Sequence, residues 1–133
     1  MAQKEFIPYE QALELKELGF EEISLDAYYK TTDGGVSLVR FPDEERQINY
    51  PFERIPAPLY QQAFRWFREK HYLFSVIDVD QTMEPLFCYS LSKYKGDFQW
   101  NNILPTYSEL YYTYEEAELA CLRKLIEIAN DKR

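Results

Sequence analysis

Several residue types that build reactive sites are scarce in this chain of 133 residues. It has two cysteines, one histidine and four glycines, and only Gly34 and Gly35 are adjacent. A lone histidine, His71, and two cysteines without a CxxC motif are too few for a zinc site. Without a glycine-rich loop, the chain also lacks the usual cradle for phosphates. We therefore predict no cofactor and no catalytic residue, and we expect Cys88 and Cys121 to be buried as small apolar side chains.

The chain also has no long apolar run and fewer basic than acidic residues. No run is long enough to cross a bilayer, and the N-terminal MAQKEFIPYEQ lacks the apolar segment of a signal peptide, so we expect a cytosolic protein. Fifteen basic and twenty-three acidic residues give a net charge of −8. This charge disfavours direct binding to nucleic acids or anionic membranes. It is typical of a soluble surface, but it also suits an imitation of nucleic acid or docking on a basic partner.

The length and composition favour one folded domain over residues 1–133. Apolar residues make up 46% of the chain and aromatic residues 17%, which excludes a disordered chain. A chain of this size buries roughly two thirds of its unfolded surface in one core.

The clearest predicted element is a helix over residues 113–130, TYEEAELACLRKLIEIAN. Thr113 and Glu116 have the spacing of a capping box, and Glu115 and Glu118 add negative charge near the positive end of the helix dipole. The apolar positions cover more than half of the helix surface, which predicts burial on more than one side.

The rest of the chain predicts two more helices and five strands. Pro8 and Gly19 mark the ends of a first helix, and an Asp-Gly turn joins the first two strands. Prolines interrupt residues 42–57, which we interpret as an ordered loop. The predicted helices are 8–18 and 59–70, and the predicted strands are 23–30, 36–41, 72–80, 85–93 and 108–112. We therefore predict an α+β fold, an antiparallel sheet with helices mainly on one face, in the order α-β-β-α-β-β-β-α.

Three strings, PYEQALELKELGF, APLYQQAFRWFREKH and YTYEEAELACLRKLIEIA, resemble those of a set of small proteins encoded by gut Bacteroidales and their phages. The resemblance touches both ends and the middle of the chain. It implies a small accessory protein and transfers no catalytic residue, because the set has no assigned activity.

The second half is also similar in element order to the double-stranded RNA-binding domain. That family contacts phosphates with lysines at the start of its last helix, where this chain has Glu115, Glu116 and Glu118. The resemblance therefore extends to topology alone, and RNA binding is not expected.

Asp78, Asp80 and Glu84 are the candidate metal ligands. Asp78 and Asp80 lie two residues apart on a predicted strand and so share one face, and Glu84 follows a short turn. Three carboxylates can hold Mg²⁺ for phosphodiester hydrolysis. Acidic residues at a strand end are more often simply solvated, and no histidine or lysine motif accompanies these three. A metal-dependent phosphodiesterase is thus the alternative function.

The aromatic residues exceed what a small sheet and three helices must bury. The chain has twelve tyrosines and two tryptophans, and these residue types are favoured in interface cores. The candidate partner-binding residues are Tyr28, Tyr29, Trp100, Tyr107 and Tyr111. They can instead form a second aromatic cluster beneath the loops.

We therefore expect a non-enzymatic accessory protein that acts by protein binding, and a phage or mobile-element protein directed against a host factor is one form of this hypothesis. Its expected partner is a basic protein or a second copy of the chain. A more specific form of the same hypothesis is that the chain is an acidic mimic of nucleic acid.

Overall fold

The computed structural model describes residues 6–21, 26–30, 34–40, 54–81, 84–103 and 108–131. These residues form three helices and two three-stranded antiparallel sheets, in the order α-β-β-β-α-β-β-β-α. The predicted α+β class is confirmed. The chain divides into two compact units, residues 1–59 and residues 60–133.

The first unit contains helix α1 (Tyr9–Leu18) and strands β1 (Asp26–Lys30), β2 (Val36–Arg40) and β3 (Arg54–Pro56). Strand β1 lies in the middle of the sheet and pairs antiparallel with both neighbours.

Helix α1 ends at Gly19, as the sequence predicted. Gly19 has φ 106°, the left-handed conformation that glycine adopts without strain. Its N–H donates to the carbonyl of Lys16 at 3.1 Å, and the N–H of Phe20 donates to Leu15 at 2.9 Å. Pro8 occupies the N-cap position, one residue before its predicted place in the first turn.

The sheet of the first unit holds a partly buried ion pair. The guanidinium of Arg40 on β2 donates to the carboxylate of Asp26 on β1, with Nη2 2.9 Å from Oδ2. Asp26 and Arg40 are also cross-strand partners in the register. Because the charges are directly opposed and the carboxylate is buried, the pair helps to fix this register.

The second unit contains α2 (Tyr60–His71), β4 (Leu73–Asp80), β5 (Leu86–Gly96), β6 (Gln99–Asn102) and α3 (Tyr114–Asp131). Strand β5 is the central strand, and β4 and β6 pair with it on either side. Helices α2 and α3 contact each other and β4, and α3 also contacts β5.

Helix α3 has the cap and the buried face that its sequence predicts. The N–H of Glu116 donates to the Thr113 hydroxyl at 3.1 Å, which satisfies one of the free donors of the first turn. Seven of its residues are buried: Ala117, Glu118, Cys121, Leu122, Leu125, Ile126 and Ala129. Each fully buried leucine or isoleucine contributes about 1.5 to 3 kcal/mol, so this face is a major source of stability.

The strands differ from the prediction in three places. They form two sheets instead of one, and β3 lies within residues that we predicted to be a loop. The third strand of the second unit is β6, whereas residues 108–112 were predicted. Those residues still follow the same edge of β5, since Tyr111 forms a bridge with Phe87 and the N–H of Ser108 donates to Tyr89. Residues 23–25, Phe41 and residues 42–53 lie outside the described residues.

Within the ranges that the structure describes, no helix combines the length and the apolar composition needed to cross a bilayer.

Candidate functional site

The sheet of the second unit has one covered face and one open face. Paired residues in an antiparallel ladder share a face, so the register shows on which of the two faces each side chain of β4 and β5 lies. One face carries Leu73, Tyr89 and Leu91, which are buried. Helix α3 covers this face, because it contacts both β4 and β5 and because Ser75, which lies on this face, is close enough to influence the Cys121 thiol on α3. The opposite face, which begins with Phe74 and Val76, we call the open sheet face, although Cys88, the cross-strand partner of Asp78 on this face, is buried.

Three aromatic rings from three strands meet on the open sheet face. Phe74 lies on β4, Tyr94 on β5 and Trp100 on β6. The Trp100 ring is 5.0 Å from that of Phe74 and 4.9 Å from that of Tyr94, between centroids, at interplanar angles of 70° and 55°. Trp100 is nevertheless 54% exposed, and Val76 beside Phe74 is 56% exposed. The rings thus form an ordered apolar cluster that stays in contact with solvent.

A strained turn places the backbone of Phe98 next to Tyr94 of this cluster. Strands β5 and β6 are joined at Asp97 and Phe98, which have φ of 52° and 61°. A bulky side chain rarely adopts this left-handed conformation. The N–H of Phe98 donates to the Tyr94 hydroxyl at 3.2 Å, and the Phe98 side chain is 94% exposed. The fold therefore accepts backbone strain at a position where the ring has almost no contact with the protein.

The predicted metal ligands lie at the other end of β4. Asp78 and Asp80 share the open sheet face, and Asp78 Oδ1 accepts a hydrogen bond from its neighbour Val79 at 2.8 Å. Glu84 is exposed beyond the end of the strand. No group of three histidine, cysteine, aspartate or glutamate side chains in the described ranges is placed to hold a metal ion. The structure thus places Asp78 and Asp80 on one face, as predicted, without gathering the three carboxylates into a metal centre.

A groove lies between α3 and the segment that follows β6. Its volume is about 480 Å³. The rings of Tyr89 and Tyr111 stack in it with centroids 6.4 Å apart and an interplanar angle of 18°, and Lys124 pairs with Glu127 at 3.4 Å. The lining residues are Tyr89, Glu109, Tyr111, Glu116, Leu119, Ala120, Arg123, Lys124 and Glu127.

The tyrosines of this groove stay protonated at neutral pH. Burial, together with the hydrogen bond that the Tyr111 hydroxyl donates to Glu109 at 3.2 Å, raises the pKa of Tyr111 to about 12. Burial also raises the pKa of Tyr89, with smaller contributions from the negative charges of Glu109 and Glu127. Neither hydroxyl is therefore activated as a base or nucleophile.

Both cysteines are buried free thiols, as the sequence predicted. Burial raises the pKa of the Cys121 thiol to about 12. Burial also raises the pKa of Cys88, and the nearby charges of Asp78 and Asp80 raise it further. The reactive form of a cysteine is the thiolate, so neither side chain is poised for nucleophilic chemistry.

The predicted partner-binding residues have different environments. In the first unit Tyr29 is buried, and the hydroxyl of half-buried Tyr28 donates to the carbonyl of Ile7 at 2.7 Å. In the second unit Trp100 is on the open sheet face and Tyr111 lines the groove. Tyr107 lies outside the described residues. Trp100 is thus the predicted residue that the structure places in an exposed aromatic cluster.

Phe74, Val76 and Phe98 were not among the residues predicted from the sequence. The alternation of strand β4 contains a signal for the first two, because Phe74, Val76 and Asp78 fall on one face when Leu73 is assigned to the core. No comparable signal marks Phe98, since its exposure depends on a turn conformation that phenylalanine rarely adopts.

The chain matches no protein-family model, no curated protein and no solved structure. The resemblances noted in the sequence therefore stay predictions.

Proposed function

We propose that this chain is a non-enzymatic binding protein whose partner, another protein, docks on the open sheet face. The observation that supports this proposal most directly is the exposed Trp100, held between Phe74 and Tyr94. Tryptophan and tyrosine are enriched among residues that dominate binding energy, especially where the rings are already ordered.

The energetics of the open sheet face favour burial against a partner. Each square ångström of apolar surface removed from water contributes about 25 cal/mol, so Trp100, Val76 and Phe98 carry unused binding energy. Because Trp100 is already packed against two rings, its side chain loses little conformational freedom on binding. A protein surface with its own apolar core satisfies these requirements.

The charge of the same face favours a basic partner. Asp78 and Asp80 extend the open sheet face beyond its aromatic end, and the whole chain has a net charge of −8. Opposite charge accelerates association and selects among partners, whereas phosphate groups would be repelled. A cytosolic location is part of this proposal.

Affinity capture with matched variants tests the proposal. The tagged protein is used as bait in a host-cell lysate, beside Trp100→Ala and the control Tyr112→Ala. Tyr112 is 77% exposed but precedes α3, outside the three strands. We expect a stoichiometric basic protein that is retained by the wild type and by Tyr112→Ala and lost by Trp100→Ala. Equal retention by all three baits would contradict the assigned surface.

Fluorescence then reports the contact directly. The second tryptophan, Trp66, is buried on α2, so Trp66→Phe leaves Trp100 as the only tryptophan, and its emission can be excited selectively over that of the tyrosines. Binding of the purified partner should shift the Trp100 emission to shorter wavelength and reduce its quenching by acrylamide. Unchanged emission at saturation would show that the partner binds elsewhere.

A further inference from the structure

Strand β4 forms an edge of its sheet in the described part of the chain. The strand order is β4-β5-β6, so β5 pairs with one side of β4. The opposite side of β4 is eight residues long and is paired with no other strand among the described residues. An edge strand presents unpaired N–H and C=O groups, and these groups can pair with an added strand.

The hydrogen bonds of β5 show which groups of β4 point outward. Phe87 exchanges both of its backbone hydrogen bonds with Tyr111, at 2.8 and 2.7 Å, on the side away from β4. Its cross-strand partner Val79 therefore belongs to a non-hydrogen-bonded pair, and the alternation of an antiparallel ladder extends this to every second residue. The residues whose backbone groups face outward are Leu73, Ser75, Ile77 and Val79.

One end of this edge is already closed by a side chain. The outward N–H of Val79 donates to Asp78 Oδ1 at 2.8 Å. Leu73 is buried, so the donors that remain for a partner are those of Ser75 and Ile77. Interactions of this kind limit strand pairing at natural sheet edges. Backbone pairing is therefore confined to the part of β4 before Val79, and an added strand reaches Asp78 and Asp80 through its side chains.

The side chains of β4 specify the chemistry of an added strand. In the sequence LFSVIDVD, no residue is basic. An added strand lies directly beside Phe74, Val76, Asp78 and Asp80, at cross-strand distances of roughly 5 Å. Its side chains on this face would therefore meet two apolar residues and then two carboxylates. A second copy of the chain would bring the same carboxylates and the same net charge of −8, which opposes self-pairing.

We propose that the protein partner adds an extended segment to the free edge of β4, with apolar side chains beside Phe74 and Val76 and basic side chains beside Asp78 and Asp80. This inference rests on the proposed function, because it names the mode of binding and the chemistry of the partner at that surface. The added strand extends the open sheet face beyond β4. Trp100 lies two strands away on β6, so another part of the same partner has to cover it.

A synthetic peptide tests this inference on the intact chain. The peptide Lys-Thr-Lys-Thr-Val-Thr-Val, antiparallel to β4, places its lysines beside the carboxylates and its valines beside Val76 and Phe74. Titration followed by NMR should show saturable binding. At saturation, amide exchange of Ser75 and Ile77 should slow at least tenfold, while that of Phe74, Val76 and Asp78 changes little, since these amides already pair with β5.

Two matched peptides separate strand pairing from simple charge attraction. The same peptide with every backbone amide N-methylated keeps its charges but cannot pair with an edge, so its affinity should fall at least tenfold. Replacing both lysines by glutamate should weaken binding to a similar extent. Equal binding of the methylated peptide, or an absence of alternating protection, would overturn the proposal. Alternating protection that grows with protein concentration alone would assign the edge to a second copy and would also overturn it.

The peptide result and the capture experiment can fail separately. If the peptide does not bind but Trp100→Ala still loses the captured protein, the open sheet face is correct and strand addition is wrong. If Trp100→Ala retains every captured protein, the proposed function itself fails.

Discussion

Glu118 is the residue whose burial has the clearest thermodynamic consequence. Its side chain belongs to the buried face of α3 with 8% exposure. Burial, with a smaller contribution from the negative charge of Glu115, raises its pKa from 4.5 to about 7. A raised folded-state pKa means that the folded protein binds the proton more tightly than the unfolded chain. This contribution to stability is complete below pH 4.5 and is lost as the pH rises through 7.

Replacing Glu118 by glutamine should therefore remove part of the pH dependence of stability. We expect Glu118→Gln to be more stable than the wild type at pH 8 by about 1 to 2 kcal/mol, less than the full shift implies because solvent screens the carboxylate. The difference should nearly vanish at pH 4.5. Urea unfolding at both pH values measures it, with the exposed Glu116→Gln as control. A pH slope for Glu118→Gln equal to that of the wild type would refute the assignment.

At Phe98, a single substitution is expected to raise stability and weaken binding. Its left-handed backbone suits glycine, which adopts positive φ without strain. Phe98→Gly should raise the free energy of unfolding by about 1 kcal/mol, while weakening binding to the captured partner. Phe98→Ala is the matched control, because it removes the ring but leaves the strain, so it should weaken binding without the gain in stability. Denaturant unfolding and affinity measurements on both variants test this, and a loss of stability in Phe98→Gly would contradict it.

At the scale of elements, the ends of the helices were predictable because their signals are local. Gly19 and Thr113 each act within one turn of their own helix, so a short stretch of sequence contains the whole cause. The hairpin of β4 and β5 was predictable for a similar reason, since both strands are rich in β-branched and aromatic residues and are separated by a short turn.

Strands β3 and β6 were not predictable because their causes are distant or unusual. Strand β3 ends in a proline and exists because it pairs with β1, some 27 residues earlier in register, as in Tyr28 with Ile55. Strand β6, Gln99–Asn102, includes two asparagines, which disfavour strands, and it follows a turn that places Phe98 at positive φ. Pairing with β5 overrides the weak local propensity in this case.

The candidate site was predictable in residue type but not in location. An aromatic surplus indicated an interface, and Trp100 is exposed, as a binding residue must be, while its role in binding stays a prediction. Composition cannot distinguish it from Tyr29, which has the same character but is buried. Adjacent strand residues point to opposite faces, so Tyr28 and Tyr29 could not both have belonged to one surface. Applying that alternation to the aromatic residues would have excluded one of them.

The cap of α3 provides a prediction at the scale of one element. Thr113→Ala removes the hydroxyl that accepts the N–H of Glu116, and such a loss costs about 1 kcal/mol. Thr113→Ser keeps the acceptor and should lose less than half as much. Urea unfolding of both variants measures the difference. Equal destabilisation by serine and alanine would show that packing of the threonine methyl group, and not capping, is responsible.

At the scale of the whole molecule, the prediction of a single domain can be tested through its two tryptophans. Both lie in the second unit, so their fluorescence follows residues 60–133 alone, whereas circular dichroism follows helices and strands throughout the chain. Units of 59 and 74 residues are near or below the size at which one apolar core supplies more than a few kcal/mol. We therefore expect neither unit to be stable without the other.

This expectation requires one cooperative unfolding transition. Urea curves recorded by tryptophan fluorescence and by circular dichroism should have the same midpoint and the same slope, and the slope should correspond to a chain of 133 residues. Ile55→Ala in the first unit supplies the decisive control, because Ile55 is fully buried and its truncation costs about 2 to 5 kcal/mol. In a single cooperative domain this variant lowers the fluorescence midpoint, although no tryptophan lies in its unit. Two independent domains would be established if Ile55→Ala left the fluorescence midpoint unchanged and circular dichroism alone showed a second transition.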